Sequence, residues 1–184
     1  HKYNPQTLRT WARVTASVPN ARFAFIRPEG GTASFRKNIQ DAFAAEGVDE
    51  SRVVFHTIRG AHMPFYNEVD ITLDPFPLTG GTTTTEALWM GVPVVSLRGK
   101  AFYERLSYSL LTNVGLGDLV ADDLDEYKRI ALDLANARAR RLDLHQNLRT
   151  RVAESPLGQT EAFAKDFYDA VARVVEAGPV KGKR

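Results

Sequence analysis

The sequence predicts an α/β fold: a Rossmann-like parallel sheet with helices on both faces. Three observations carry that prediction. Short apolar runs alternate along the chain with longer segments of helical period. The apolar runs are continuous rather than strictly alternating, as expected of strands buried on both faces. Glycine- and proline-bearing turns separate most of the elements. The chain has 184 residues, 43% of them hydrophobic and 25% charged, which is ordinary for one globular domain.

Asn4-Pro5 pairs a capping residue with proline at a first helical position, so a helix is expected from Pro5 to Ser17. Leu8, Trp11, Ala12 and Thr15 fall on one face of it. Val18-Pro19-Asn20 then turns the chain into a strand, Arg22 to Ile26, which Pro28-Glu29-Gly30-Gly31 breaks. Phe35, Ile39, Ala42 and Phe43 mark a helix over Thr32 to Glu46, with Gly47 as its C-terminal cap. A strand over Arg52 to Ile58 leads through Arg59-Gly60-Ala61 to a helical turn from His62 to Glu68.

The stretch from Asp70 to Arg98 reads as strand, glycine loop, helix, strand. Pro75 and Pro77 stop the strand at Asp74, because neither can donate to a ladder. Gly80-Gly81 frees the backbone to turn and to approach another group closely. Thr82 to Thr85 open a helix that ends at Gly91, and Pro93 to Leu97 form the next strand. Beyond it, Phe102 to Asn113 reads as a helix with Leu106, Leu110 and Leu111 inward. Leu119-Val120 is a short strand, and Asp122 or Asp123 caps a helix carrying Tyr127, Ile130, Ala131 and Leu134. Helices follow over Ala137 to Ala153 and over Thr160 to Glu176, the last with Phe163, Phe167, Ala170, Val171 and Val174 inward. Trp11 and Trp89 are expected in the core. Residues 1–177 form one lobe, and the basic end, residues 178–184, is a loose tail.

The totals exclude several function classes. Zero cysteines leave no disulfide, thiolate nucleophile or cysteine metal site. A net charge of +2 is too small to argue for nucleic acid. No apolar run approaches the roughly 20 residues of a membrane span, and no signal peptide is visible. A cytoplasmic protein is the expectation. The chain opens on His1-Lys2-Tyr3 rather than Met, so it reads as a fragment whose partner segments lie upstream.

In open parallel sheets ligands sit at the carboxyl ends of the strands. The Gly80-Gly81 loop and the Arg59-to-His62 loop both follow strands and belong to that edge. A glycine loop feeding a helix N-terminus is an anion site, because free N–H groups and the positive end of the helix dipole point the same way. Four successive threonines are poor helix formers; capping accounts for one or two and ligand contact for more. Thr83-x-x-Glu86 also fits a capping box, in which Glu86 returns to the helix start. His62 fits a surface or cap histidine as well as a ligand contact, and Arg59 fits a solvated loop arginine as well as a base or phosphate contact. His56 reads as a sheet histidine, and Arg138, Arg140 and Arg141 as a solvated face. No paired acidic cluster reads as a metal site, so metal-independent chemistry is expected.

The string DITLDPFPLTGGTTTTEALWMGVPVVSLRG, with Arg105-Leu106-Ser107, SLLTNVGLGDLVA and DEYKRIALDLA, resembles the C-terminal catalytic lobe of the O-GlcNAc transferase and SPINDLY family of GT-B glycosyltransferases. The resemblance covers nearly the whole chain. It implies a GT-B C-terminal lobe, usually preceded by tetratricopeptide repeats, whose last helix (about residues 160–176) packs toward an N-terminal lobe. It implies transfer, with inversion, of a GlcNAc- or fucose-type sugar from a UDP- or GDP-linked donor to protein Ser or Thr hydroxyls, with no other cofactor. By the same resemblance the loop around Gly80, Gly81, Thr82 and Thr83 holds the donor diphosphate, Glu86 reaches the ribose hydroxyls and His62 contacts the nucleotide. Lys2, just ahead of the first helix, neutralises the diphosphate as it leaves. The partners implied are a nucleotide sugar and a protein acceptor. Gly81 stands where the animal-type enzymes carry histidine, and Glu86 where they carry aspartate, so base and sugar stay open. Two other readings also stand: a GT-B enzyme with a lipid or small-molecule acceptor, and a non-catalytic Rossmann-like interaction module.

Overall fold

The computed structural model describes residues 2–178; His1 and the basic stretch 179–184 lie outside the described residues, so the expected loose tail does too. The element order is α1 (Pro5–Ser17), β1 (Phe23–Ile26), α2 (Ala33–Ala44), β2 (Val53–His56), β3 (Thr72–Leu73), α3 (Thr82–Trp89), β4 (Val94–Leu97), α4 (Leu106–Asn113), β5 (Val120–Ala121), α5 (Leu124–Asn136), α6 (Arg138–Glu154) and α7 (Thr160–Ala177). The fold is α/β, with parallel strands flanked by helices, as the alternation predicts. One detail differs from a single continuous sheet. The strands form two hydrogen-bonded groups, β1-β2 and β3-β4-β5. Phe23 lies opposite Val53, Thr72 opposite Val94 and Ser96 opposite Val120, and every pair is parallel.

The local signals explain the helix starts. The Asn4 side chain accepts from the Thr7 N–H at 3.0 Å, with Pro5 at the first position. Asp123, rather than Asp122, caps α5 by accepting from Glu126 N–H at 2.8 Å. Asp122 instead pairs with Arg98 across the end of the sheet. The predicted Phe102–Asn113 helix is interrupted: a 3-10 turn at Phe102–Glu104 precedes α4. Glu104 reaches back to the N–H groups of Lys100 and Ala101, both at 2.7 Å.

The β1-β2 half is packed by aromatic rings. Trp11 and Phe23 stack at 5.1 Å between centroids, Phe25 and Phe55 at 5.6 Å, and Phe43 meets Phe23 edge-on at 5.1 Å. Around β3-β4-β5 the core is aliphatic, with Leu88, Val94, Val95, Leu111, Leu134 and Leu148 buried. Tyr127 joins the two halves: its hydroxyl accepts from Trp11 Nε1 at 3.1 Å and donates to the Asp74 carbonyl at 3.0 Å. Burial raises the Tyr127 hydroxyl well above its ordinary pKa, which keeps it neutral and able to donate.

Three expectations about burial are corrected. Trp89 is not in the core; it is exposed, with the Arg149 guanidinium 4.5 Å above its ring. Arg141 is no member of a solvated face. It is half-buried and donates to the carbonyls of Leu134 (2.8 Å) and Ala135 in the last turn of α5. The apolar face of α7 points outward: none of its residues is buried, and Phe163, Phe167, Tyr168, Val174 and Val175 are all exposed.

Candidate functional site

The Gly80-Gly81 loop is built from below by a buried carboxylate. Asp74, 2% exposed at the end of β3, accepts from the Gly80 N–H at 2.8 Å with one oxygen and from the Ser96 hydroxyl at 2.6 Å with the other. Burial raises its pKa, opposed by hydrogen bonds from Ser96, Ser107 and the Gly80 N–H and by the positive charge of Lys2. The Ser107 hydroxyl donates to the Gly80 carbonyl at 2.9 Å and lies 2.8 Å from the Thr84 hydroxyl. Both backbone polar groups of Gly80 are thereby fixed. A side chain has no room there: a Cβ on Gly80 would lie 2.3 Å from Thr84 Oγ1 and 3.0 Å from Asp74 Oδ1.

Gly81 differs. It is the N-cap of α3, it offers no side chain to cap the helix, and a Cβ built on it meets nothing within 4 Å. Thr82 and Thr83 follow with exposed side chains. The other two threonines are occupied, Thr84 with Ser107 and Thr85 Oγ1 with the Gly81 carbonyl at 3.3 Å. The N-terminus of α3 therefore presents open backbone N–H groups and two uncommitted hydroxyls on one rim.

Glu86 does not form the capping box that Thr83-x-x-Glu86 allows. Its Oε2 lies 3.0 Å from His62 Nε2. The structure thus brings together two residues 24 positions apart, both named from sequence. His62 ends a loop in which Gly60 (φ 72°) and Ala61 (φ 37°) take left-handed backbone, a conformation that costs a non-glycine residue roughly 1–2 kcal/mol. Tyr66, in the 3-10 turn Met63–Glu68, donates to the Thr83 carbonyl at 3.3 Å. Its hydroxyl pKa is pushed up to about 12, first by burial and then by the Glu86 charge.

Lys2 is half-buried and lines, with Tyr66 and Thr83 among others, a cavity of about 460 Å³. Its neighbour Tyr3 holds the segment in place. The Tyr3 hydroxyl accepts from Arg27 at 2.8 Å, and its ring packs edge-on against Trp11 and Phe25. Arg27 is fixed in turn by a two-pronged contact with Glu29 at 3.0 and 3.1 Å. His62 and Glu86 do not line that cavity. They stand on the α3 side of the loop. Among the described residues, no group of three or more His, Cys, Asp or Glu could hold a metal ion. No described helix is long and apolar enough to cross a membrane.

Sequence reasoning missed Asp74 and Ser107. The only signal for them was polar residues in otherwise apolar surroundings: an aspartate ending a buried strand, and a serine on the inner face of α4.

A family model described as glycosyl transferase family 41 matches residues 1–167. The chain belongs to glycosyl transferase family 41. Relatives of similar sequence include proteins named probable UDP-N-acetylglucosamine–peptide N-acetylglucosaminyltransferase SPINDLY. The one from Hordeum vulgare is 36% identical over 173 residues, 92% of this chain and 18% of the relative. The Arabidopsis thaliana one is 37% identical over 172 residues, 92% of this chain and 19% of the relative. A second Arabidopsis thaliana protein, with the same enzyme name but called SEC, is 29% identical over 171 residues, 91% of this chain and 17% of the relative. Among solved structures, a mutant O-GlcNAc transferase from Thermobaculum terrenum superposes with a TM-score of 0.86 at 32% identity, over 94% of this chain and 34% of that one. The chain thus spans about a fifth of the length of these plant relatives.

Proposed function

We propose that this chain is the donor-binding lobe of an inverting protein glycosyltransferase. In this reading the full-length enzyme moves a GlcNAc- or fucose-type sugar from a nucleoside diphosphate to Ser or Thr hydroxyls of a protein. The observation that carries it is the α3 rim. Open N–H groups at a helix start, flanked by the uncommitted hydroxyls of Thr82 and Thr83, suit a diphosphate. Family membership and the enzyme activity for which the relatives are named support the reaction class.

Sugar transfer leaves negative charge on the departing diphosphate. Donors already fixed where that charge develops stabilise the transition state, each by ~3 kcal/mol when removed singly. The α3 N–H groups, Thr82, Thr83 and Lys2 are the groups assigned to that task. Glu86, held by His62, is assigned to the ribose hydroxyls. The bare apolar face of α7 is assigned to contact with a further lobe of the enzyme. UDP and GDP titrated against the protein should shift the amide signals of Gly81 to Glu86 first; no shift at millimolar nucleotide would remove the donor site. In the full-length enzyme, Lys2→Ala should slow donor hydrolysis at least tenfold, and turnover equal to the parent's would take Lys2 out of the mechanism.

A further inference from the structure

Gly80 turns both of its backbone polar groups into the protein. Its N–H donates to Asp74 Oδ1 at 2.8 Å, and its carbonyl accepts from the Ser107 hydroxyl at 2.9 Å. Asp74 is 2% exposed and Ser107 0%, so both bonds lie in the interior. The second bond also orients Gly81. The Gly80–Gly81 peptide is trans, so its C=O and N–H point in opposite directions. With the carbonyl held inward by Ser107, the Gly81 N–H is aimed outward. No described group accepts from it, and it opens on the α3 rim beside the exposed side chains of Thr82 and Thr83.

Among the described residues, Ser107 alone bonds this peptide. Asp74 addresses the peptide before it, through the Gly80 N–H. α3 addresses the peptide after it, where the Gly81 carbonyl accepts from the Thr85 N–H at 3.0 Å. The unit between joins two glycines, and with no Cβ on either side it can flip at little steric cost. Flipped, it would bury the Gly81 N–H and turn the Gly80 carbonyl onto the rim, where the negative end of that dipole would repel a diphosphate. Ser107 is itself well anchored. The start of α4 is docked on the loop through Thr79, whose N–H (3.2 Å) and hydroxyl (3.0 Å) both donate to the Tyr103 carbonyl. Ser107 has one hydroxyl proton and gives it to the Gly80 carbonyl, so the Thr84 hydroxyl, 2.8 Å away, donates to the Ser107 oxygen and holds it from behind.

We propose that Ser107 is a positioning residue for the donor diphosphate: its bond to the Gly80 carbonyl locks the Gly80–Gly81 peptide with the Gly81 N–H facing the ligand. The inference rests on the donor-site reading of the α3 rim and adds to it one N–H that lies ahead of the helix and that helix geometry does not aim. Ser107 touches no ligand; it acts through a peptide that has two accessible orientations, one of which binds.

Single-amide spectra of the full-length enzyme, titrated with UDP and with GDP, test it. In the parent, nucleotide should shift the Gly81 amide and slow its hydrogen exchange roughly tenfold or more, while the Gly80 amide stays as it was. A Gly81 amide that ignores nucleotide while Thr82 to Glu86 respond overturns the role of Ser107 and leaves the donor site standing. No response anywhere from Gly81 to Glu86 removes the donor site, and this role with it. Ser107→Ala separates aim from packing. It should weaken both nucleotides by roughly fivefold or more, because the binding orientation becomes only a fraction of the population, and it should abolish the Gly81 response. Ser96→Ala is the matched control. It removes an equally buried hydroxyl from the same floor, one that bonds Asp74 and not the Gly80–Gly81 peptide, and it should bind nucleotide as the parent does. Equal weakening by the two variants, or parent-like affinity in Ser107→Ala, overturns the proposal.

Discussion

The floor and the rim of the Gly80-Gly81 loop use similar residues for opposite ends. On the floor, Asp74, Gly80, Thr84 and Ser107 are buried and their hydrogen bonds close on one another. No buried side-chain polar atom among the described residues is left without a partner. One residue away, the Gly81 N–H and the Thr82 and Thr83 hydroxyls make no such commitment, and Gly81 has empty space where a side chain would be. Two adjacent glycines and four adjacent threonines thus divide between groups already hydrogen-bonded and groups left open. The difference teaches that residue type alone does not assign a role here. Whether a group's hydrogen-bonding capacity is already consumed does.

The largest expected effect comes from forcing a methyl into the floor. Gly80→Ala should lower stability by about 3 kcal/mol, the upper end for overpacking, and a thermal melt would show it. A loss under about 0.5 kcal/mol would mean the floor is softer than its contacts suggest. Asp74→Ala leaves the Gly80 N–H and Ser96 hydroxyl without their acceptor and should cost about 2 kcal/mol.

Asp74→Asn separates packing from charge. The folded-state pKa of Asp74 is raised by burial, so the folded protein holds this proton more tightly than the unfolded chain. Stability from the protonated form is full below the unfolded pKa, near 3.8, and declines as pH rises through the folded value. The deficit of Asp74→Asn against wild type should therefore shrink as pH rises from about 4 toward neutrality. A deficit that grows with pH would reverse the assignment.

The threonines give the smallest and sharpest contrast. Thr84→Ala should cost about 1 kcal/mol of stability. Thr83→Ala should leave the melting temperature unchanged and weaken nucleotide binding by about 1 kcal/mol, roughly fivefold. If both variants behave alike, the division between floor and rim fails.

Most of the element order was legible in the sequence because it rests on local chemistry. Asn4-Pro5 caps α1, Asp123 caps α5, and Gly91 ends α3 with positive φ while a Cβ on it would press to 2.6 Å from the His145 carbonyl. His62, Glu86, Thr82 and Thr83 were legible as candidates through their place in a family pattern. The capping box was locally allowed, but His62 outcompeted it from 24 residues away. Asp74 was illegible for the same reason: its partners Gly80 and Ser96 lie 6 and 22 positions distant. The period of α7 reveals an apolar face but not which side of it meets protein, and Trp89 stays outside the core because Arg149 covers its ring.

That α7 face also makes the helix a built-in gauge. An isolated helix of this length is marginal in water, since most helical stability in proteins comes from packing. Eighteen residues with none buried should therefore unwind well before the rest of the chain, as an early, shallow drop in the far-ultraviolet circular dichroism melt. Whatever covers Phe163, Phe167 and Val174 would merge that drop into the main transition, so the shape of one melting curve reports whether the helix has found its neighbour.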